Sequence, residues 1–181
     1  MPVQGEFFQN PGGASSFYEY QIEQSARFDS ASSSYLTQNF SSEGNKRTGT
    51  FSAWVKRVTP GTQHLIFNAH VSNANQDQVF GFTSNDYAHV WMSGGTYGYQ
   101  TSDGKYRDTN GWSHFVAAWD STQGTAANRI KIYLNGNQLT TANDSPTQPS
   151  LNQDFFVFDD VEHNIGRRGA YGGQHYFDGY L

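Results

Sequence analysis

IKIYLNGNQL, residues 130–139, is the stretch whose reading decides the fold. Ile130, Ile132 and Leu134 alternate with Lys131 and Tyr133, so an extended segment has one apolar face and one polar face. Asn135-Gly136 follows, and both residues accept the positive φ of a two-residue type I′ turn, whose twist matches the strands it joins. Leu139 then resumes the apolar face. The stretch predicts a β-hairpin with its register set by that face.

Working upstream, Phe115-Val116-Ala117-Ala118-Trp119 is a short apolar run ending at Asp120-Ser121, as expected of a central strand buried on both faces. Periodicity alone leaves a helical turn open there, but the β-rich flanks favour a strand. Thr50–Lys56, Leu65–Phe67, Val79–Thr83, His89–Met92 and Phe155–Phe158 share its length and its β-branched or aromatic character. Pro60-Gly61, Ser93-Gly94-Gly95, Asp103-Gly104 and Asn110-Gly111 read as turns between strands, and 145–150 as a longer loop. Within Thr122–Arg129 a helical turn is conceivable, but Gly124 argues for a loop across the sheet ends.

Composition agrees with an all-β chain that has almost no helix. Of 181 residues, 16% are aromatic and 15% charged, and 19 glycines are spread along the chain instead of clustering in a linker. At this length one core suffices, burying roughly 70% of the unfolded surface. The net charge of -5 offers no broad basic surface to a phosphate backbone, which argues against nucleic acid as a partner. With no cysteine, disulfides and thiolate metal sites are excluded. The opening MPVQGEFFQNPGG lacks a basic region followed by an apolar run, and no run of about eighteen apolar residues occurs, so neither a signal peptide nor a membrane span is expected. Residues 1–24, with Phe7, Phe8, Phe17, Tyr18 and Tyr20 among polar and glycine positions, read as an arm that orders by lying on its own domain or a neighbour. Residues 25–181 read as a single sandwich domain.

Several blocks carry a resemblance: SARFD (25–29), SSYLT (33–37), GTFSAWVKR (49–57), YRDTNGWSHFVAAWDSTQGTAANRIKIYLNGNQLT (106–140), NIGRR (164–168) and YFDGYL (176–181). In this order they are similar to the laminin G-like branch of the concanavalin A-like lectin/glucanase superfamily, in the versions found in marine bacteriophage structural and tail-fibre proteins. Within them Trp54 and Trp112 read as large packing groups, and Gly166 as relief of crowding where the chain crosses a sheet.

The resemblance implies an antiparallel two-sheet jelly-roll β-sandwich and roles from sugar binding and adhesion to particle architecture. It makes a virion-type structural or adhesion protein the leading expectation. Such a protein is oligomeric or bound to other virion subunits, displayed on the virion surface after assembly in the host cytoplasm, and free of cofactors. A lectin-like module binding cell-surface glycans is the alternative, and a degenerate glucanase comes third. The family pattern continues past YFDGYL with one more strand, so the edge beside Tyr176–Leu181 is expected to be filled by the N-terminal arm or by another subunit.

Chemistry-bearing patterns are few. Glucanases of this superfamily carry E-x-D-x-x-E on one strand, setting two carboxylates on one face, and the five glutamates here (Glu6, Glu19, Glu23, Glu43, Glu162) offer no such spacing. No catalytic residue is therefore assigned. The six histidines stand too far apart in sequence to suggest a zinc motif. Ser113 and His114, as strand neighbours, point to opposite faces and cannot act as nucleophile and base. Asp159-Asp160 with Glu162 is the calcium candidate, although it lacks the alternating Asp/Asn of hard-cation loops and a solvated turn explains it as well.

For a glycan the suggestive residues are Trp91, Tyr97, Tyr99, Tyr106, Arg107 and Asp108. Rings there would stack on sugar C–H faces while the charged groups serve hydroxyls. Arg167, Arg168 and Tyr171, with Phe17, Tyr18 and Tyr20 of the arm, are the interface candidates.

Overall fold

Alternating apolar residues become two facing sheets in the computed structural model, which describes residues 24–71, 77–94, 96–139, 147–170 and 173–181. The first sheet runs, in spatial order, β1 (Arg27–Phe28), β12 (Gly179–Tyr180), β3 (Thr48–Arg57), β8 (Ser113–Asp120), β9 (Ile130–Leu134) and β10 (Asn137–Gln138). The second runs β2 (Leu36–Asn39), β11 (Glu162–Ile165), β4 (His64–His70), β5 (Asp77–Phe82), β6 (Tyr87–Met92) and β7 (Gly98–Lys105). Every pairing is antiparallel, as expected of the jelly roll. No α-helix occurs among the described residues, and the 3₁₀ turn at Ala126–Asn128 lies inside the predicted loop.

The hairpin forms as predicted. Asn135 and Gly136 take φ of 51° and 81°, Leu134 pairs with Asn137, and Tyr133 with Gln138. Ile130, Ile132 and Leu134 face inward with Phe115, Ala117 and Trp119 of β8, against Ile66, Phe80, Phe82, Val90 and Met92 of the second sheet. Aromatic rings bridge the layers: Phe51 of β3 lies 5.5 Å from Phe80 of β5, and Phe80 lies 5.7 Å from Trp119. Each fully buried side chain of this size stabilises the fold by about 1.5–3 kcal/mol, so this interior holds the two sheets in fixed relation.

Five expectations need correction. The β8 run is a central strand, but it buries one face only: Phe115, Ala117 and Trp119 are buried while Val116 and Ala118 are partly exposed. Phe155–Phe158 is not a strand. Its backbone is held by Lys46 O, the buried Gln78 side chain and a bond from Gly44 N to Phe158 O, which lets Phe155 and Val157 plug one end of the core without a ladder. Asp103-Gly104 is no turn but part of β7, where the register to β6 slips so that Tyr87 pairs with Lys105 and His89 with Thr101, and glycine eases such a bulge.

Trp54 and Trp112 are not interior packing groups; at 43% and 42% exposure they lie on the surface. Trp54 belongs to the outward set of β3, because Val55 takes the inward position beside it. Finally, the edge beside Tyr176–Leu181 is filled from within the domain. β12 lies between β3 and β1, and Ala26 and Leu181 exchange backbone bonds of 2.8 and 3.0 Å. Residues 1–23 of the expected arm, including Phe17, Tyr18 and Tyr20, lie outside the described residues.

Candidate functional site

The six glycan candidates separate into two places because β7 carries them to opposite ends. Tyr99 stands near its start and Tyr106 just after its end, which at ~3.3 Å per residue puts the two groups roughly 20 Å apart.

At the first place, the outward face of β6 presents Trp91 directly opposite Tyr99 of β7. Tyr97, in the loop just before β7, stacks on Trp91 with centroids 5.6 Å apart and planes 25° apart. Tyr99 meets the same indole edge-on at 5.8 Å. Tyr97 is 50% exposed, so the stack ends in a ring open to solvent. Beneath it the buried His89 ring touches Tyr99 edge-on at 6.2 Å, and burial, then Arg168 and His175, pull the imidazole down to about 4, leaving it neutral near pH 7. The platform is therefore apolar with phenol rims, a shape suited to the C–H face of a sugar ring.

At the second place, Tyr106, Arg107 and Asp108 border a cavity of about 120 Å³ together with Val55, Arg57, Phe82, Lys105, Ser113 and Leu134. Its organiser, missed in the sequence, is Asp86. This buried carboxylate accepts bonds from Arg57 Nη2 (3.0 Å), Gly61 N (2.6 Å) and Arg107 Nε (2.8 Å). Burial would raise its pKa, but those bonds, with Gly61 foremost, outweigh it and hold the carboxyl below the usual range. Asp108 caps its own turn by accepting from Asn110 N at 2.8 Å. A larger, open hollow of about 420 Å³ lies along β3, β8 and β9, lined by Thr48, Thr50, Asp120, Gln123 and Lys131 among others. Its Asp120 carboxylate is already bonded by Thr122 and Gln123, so it offers less unsatisfied polar chemistry.

The remaining candidates are held inside the chain. Asp159 and Asp160 come together with Glu43, not with Glu162. Lys46 Nζ sits 2.9 Å from Asp159 and 3.3 Å from Glu43, so an internal cation already meets that cluster. Glu162 instead bonds Arg167 and Asn164. Arg167 also covers the Tyr35 ring at 3.5 Å, and Arg168 is paired with the buried Asp77, so both arginines brace the loop after β11. Tyr171 lies outside the described residues. Ser52 Oγ, from a strand 62 residues away, approaches His114 Nε2 to 2.8 Å, a pair that no local spacing could disclose. Trp54 stacks on that imidazole at 5.1 Å, and among the described residues no carboxylate bonds it.

Two facing antiparallel sheets in jelly-roll order, with aromatic residues on their outer surfaces, define a lectin-like sandwich class. The chain belongs to the laminin G family described as the concanavalin A-like lectin/glucanases superfamily, whose model matches residues 29–181. No curated protein matches it in sequence. Among solved structures it is similar to a heptameric SAP-like pentraxin from Limulus polyphemus, at 16% identity and TM-score 0.53, covering 81% of this chain and 66% of that one. It is also similar to domains LG4-5 of mouse laminin alpha1, at 9% identity and TM-score 0.61, covering 88% and 40%. The CBM40 of Ruminococcus gnavus IT-sialidase bound to alpha2,3 sialyllactose matches at 12% identity and TM-score 0.51, covering 81% and 88%. The chain thus spans under two thirds of the pentraxin and about two fifths of the laminin fragment, and at these identities the likeness is one of fold.

Proposed function

We propose that this protein is a non-catalytic carbohydrate-binding or adhesion module whose sugar contact is the Trp91–Tyr97–Tyr99 platform. The observation that carries this reading is the solvent-open stack of Tyr97 on Trp91, fixed by the β6–β7 pairing. Trp91 and Tyr99 are held by the sheet and lose little freedom on binding, so stacking on a sugar face keeps most of its gain. The sialyllactose held by the CBM40 of similar fold supports the ligand class. A glycan array tests it. Wild-type protein is expected to bind a subset of neutral or acidic glycans, and Trp91→Ala or Tyr97→Ala to weaken that binding at least tenfold. Binding untouched by both substitutions removes the platform.

A second observation favours contact with other subunits. Trp54 and Trp112 expose aromatic surface at the first sheet, where Trp112 meets the half-buried Tyr180 ring edge-on and Arg27 lies over Tyr180 at 5.2 Å, a composition enriched at interfaces. Self-association seen by light scattering and lost in Trp54→Ser with Trp112→Ser would support it. Placement on a phage particle, assembled in the host cytoplasm, rests on the sequence resemblance. A mass-spectrometric inventory of purified particles tests that placement.

A further inference from the structure

We propose that the cavity between Arg57, Lys105 and Arg107 is a socket for a carboxylate, carried by a small organic acid or an acidic sugar. It is a separate site from the Trp91 platform, at the far end of β7, and stands or falls independently of it.

Three features argue for an anion. Arg57 is 4% exposed, lies over the Phe82 ring at 4.5 Å, donates to Tyr106 O at 2.6 Å and to Asp86, and its Nε is buried without a hydrogen-bond partner. These contacts fix the guanidinium, and with it a positive charge, at the cavity wall. Lys105 makes no ion pair among the described residues; its ammonium rests 5.3 Å from the Tyr87 ring. Arg107 engages Asp86 through Nε while remaining 60% exposed, so its two Nη groups are available as a fork at the rim.

Size then narrows the class. Around the cavity the cations Arg57, Lys105 and Arg107 stand with Asp86, tied to both arginines, Asp108, which caps its turn, and Asp103, two residues along β7 from Lys105 and acting on Tyr106. The attraction therefore rests on the donors left open, the Lys105 ammonium and the Arg107 Nη fork. At about 120 Å³ the space equals about four waters at ~30 Å³ each. That admits a carboxylate with its neighbouring carbon and leaves a sugar ring at the mouth. Val55, Phe82 and Leu134 form apolar walls, which lower the local dielectric and strengthen the charge contact.

The test is amide NMR of the full chain titrated separately with acetate, D-glucuronate, D-glucose and sulfate, at low and high salt. Saturable shifts at Lys105–Asp108 with acetate or glucuronate, weakened by salt and at least fivefold by Lys105→Gln and by Arg107→Gln, are expected. Both side chains are exposed, so these variants keep the fold. Acetate alone binding identifies a small acid as the source, and glucuronate binding identifies an acidic sugar. Shifts that glucose reproduces, that sulfate produces at lower concentration than acetate, or that persist unchanged in both variants overturn the proposal. So does the absence of any shift at those residues.

Discussion

His89 shows at the scale of one side chain how burial ties stability to pH. Its ring is buried on β6, and burial, with Arg168 and His175 next, lowers its pKa from 6.5 to about 4; His64, buried beside Phe177, is likewise lowered to about 4. In the unfolded chain both regain ordinary values, so as pH falls below about 6.5 the unfolded state takes up protons first. Stability is therefore full above that pH and is lost on descent toward 4, by about 3 kcal/mol for His89 alone. Urea midpoints should fall steadily from pH 7 to 4.5, and His89→Gln should flatten part of that slope; a level profile would contradict the buried, neutral ring. Asp86 gives a second prediction. Asp86→Ala strands the buried Arg57 charge and should cost about 3–5 kcal/mol in the unfolding free energy.

At the level of strands and turns, the legible parts are those whose signal is local. The 130–139 hairpin is written in ten consecutive residues, because alternation and positive-φ turn chemistry act between neighbours. Gly136→Ala forces a Cβ into φ of 81° and should cost about 1–2 kcal/mol by thermal unfolding. Gly124→Ala, with ordinary φ and open space around it, should leave the melting temperature within error. Phe155–Phe158 has the same composition as a strand but forms none. Three of its hydrogen-bond partners, Lys46, Gln78 and Gly44, lie more than 70 residues earlier, and nothing in the segment announces them. Trp54 fails in the opposite sense: one step in register from Val55 decides whether a tryptophan packs or faces solvent.

Over the whole molecule, closure joins distant parts of the chain. Residues 26–28 pair with 179–181, and β3 pairs with β8 across some sixty residues. Such non-local pairing must meet loop-closure entropy before contacts form, so refolding followed by tryptophan fluorescence should take milliseconds to seconds, not microseconds. Deleting Gly179–Leu181 removes the strand between β1 and β3 and bares the edge of β3. We expect that truncation to aggregate, as an unpaired edge templates pairing with other chains. Size-exclusion chromatography of the truncated protein decides this.

By itself the sequence determined the all-β class, the hairpin and its register, the absence of thiol chemistry, and the blocks that carry the family resemblance. Each depends on residue type and near-neighbour spacing. Only the tertiary structure decided which side chains share a site. It parted Trp91, Tyr97 and Tyr99 from Tyr106, Arg107 and Asp108, drew Arg57 and Asp86 together, replaced Glu162 by Glu43 beside Asp159, and gave Arg167 and Arg168 partners of their own. The physical reason is that a strand has two faces and two ends. Which residues meet across sheets is set by strand order and register between segments tens of residues apart, where spacing along the chain carries no information.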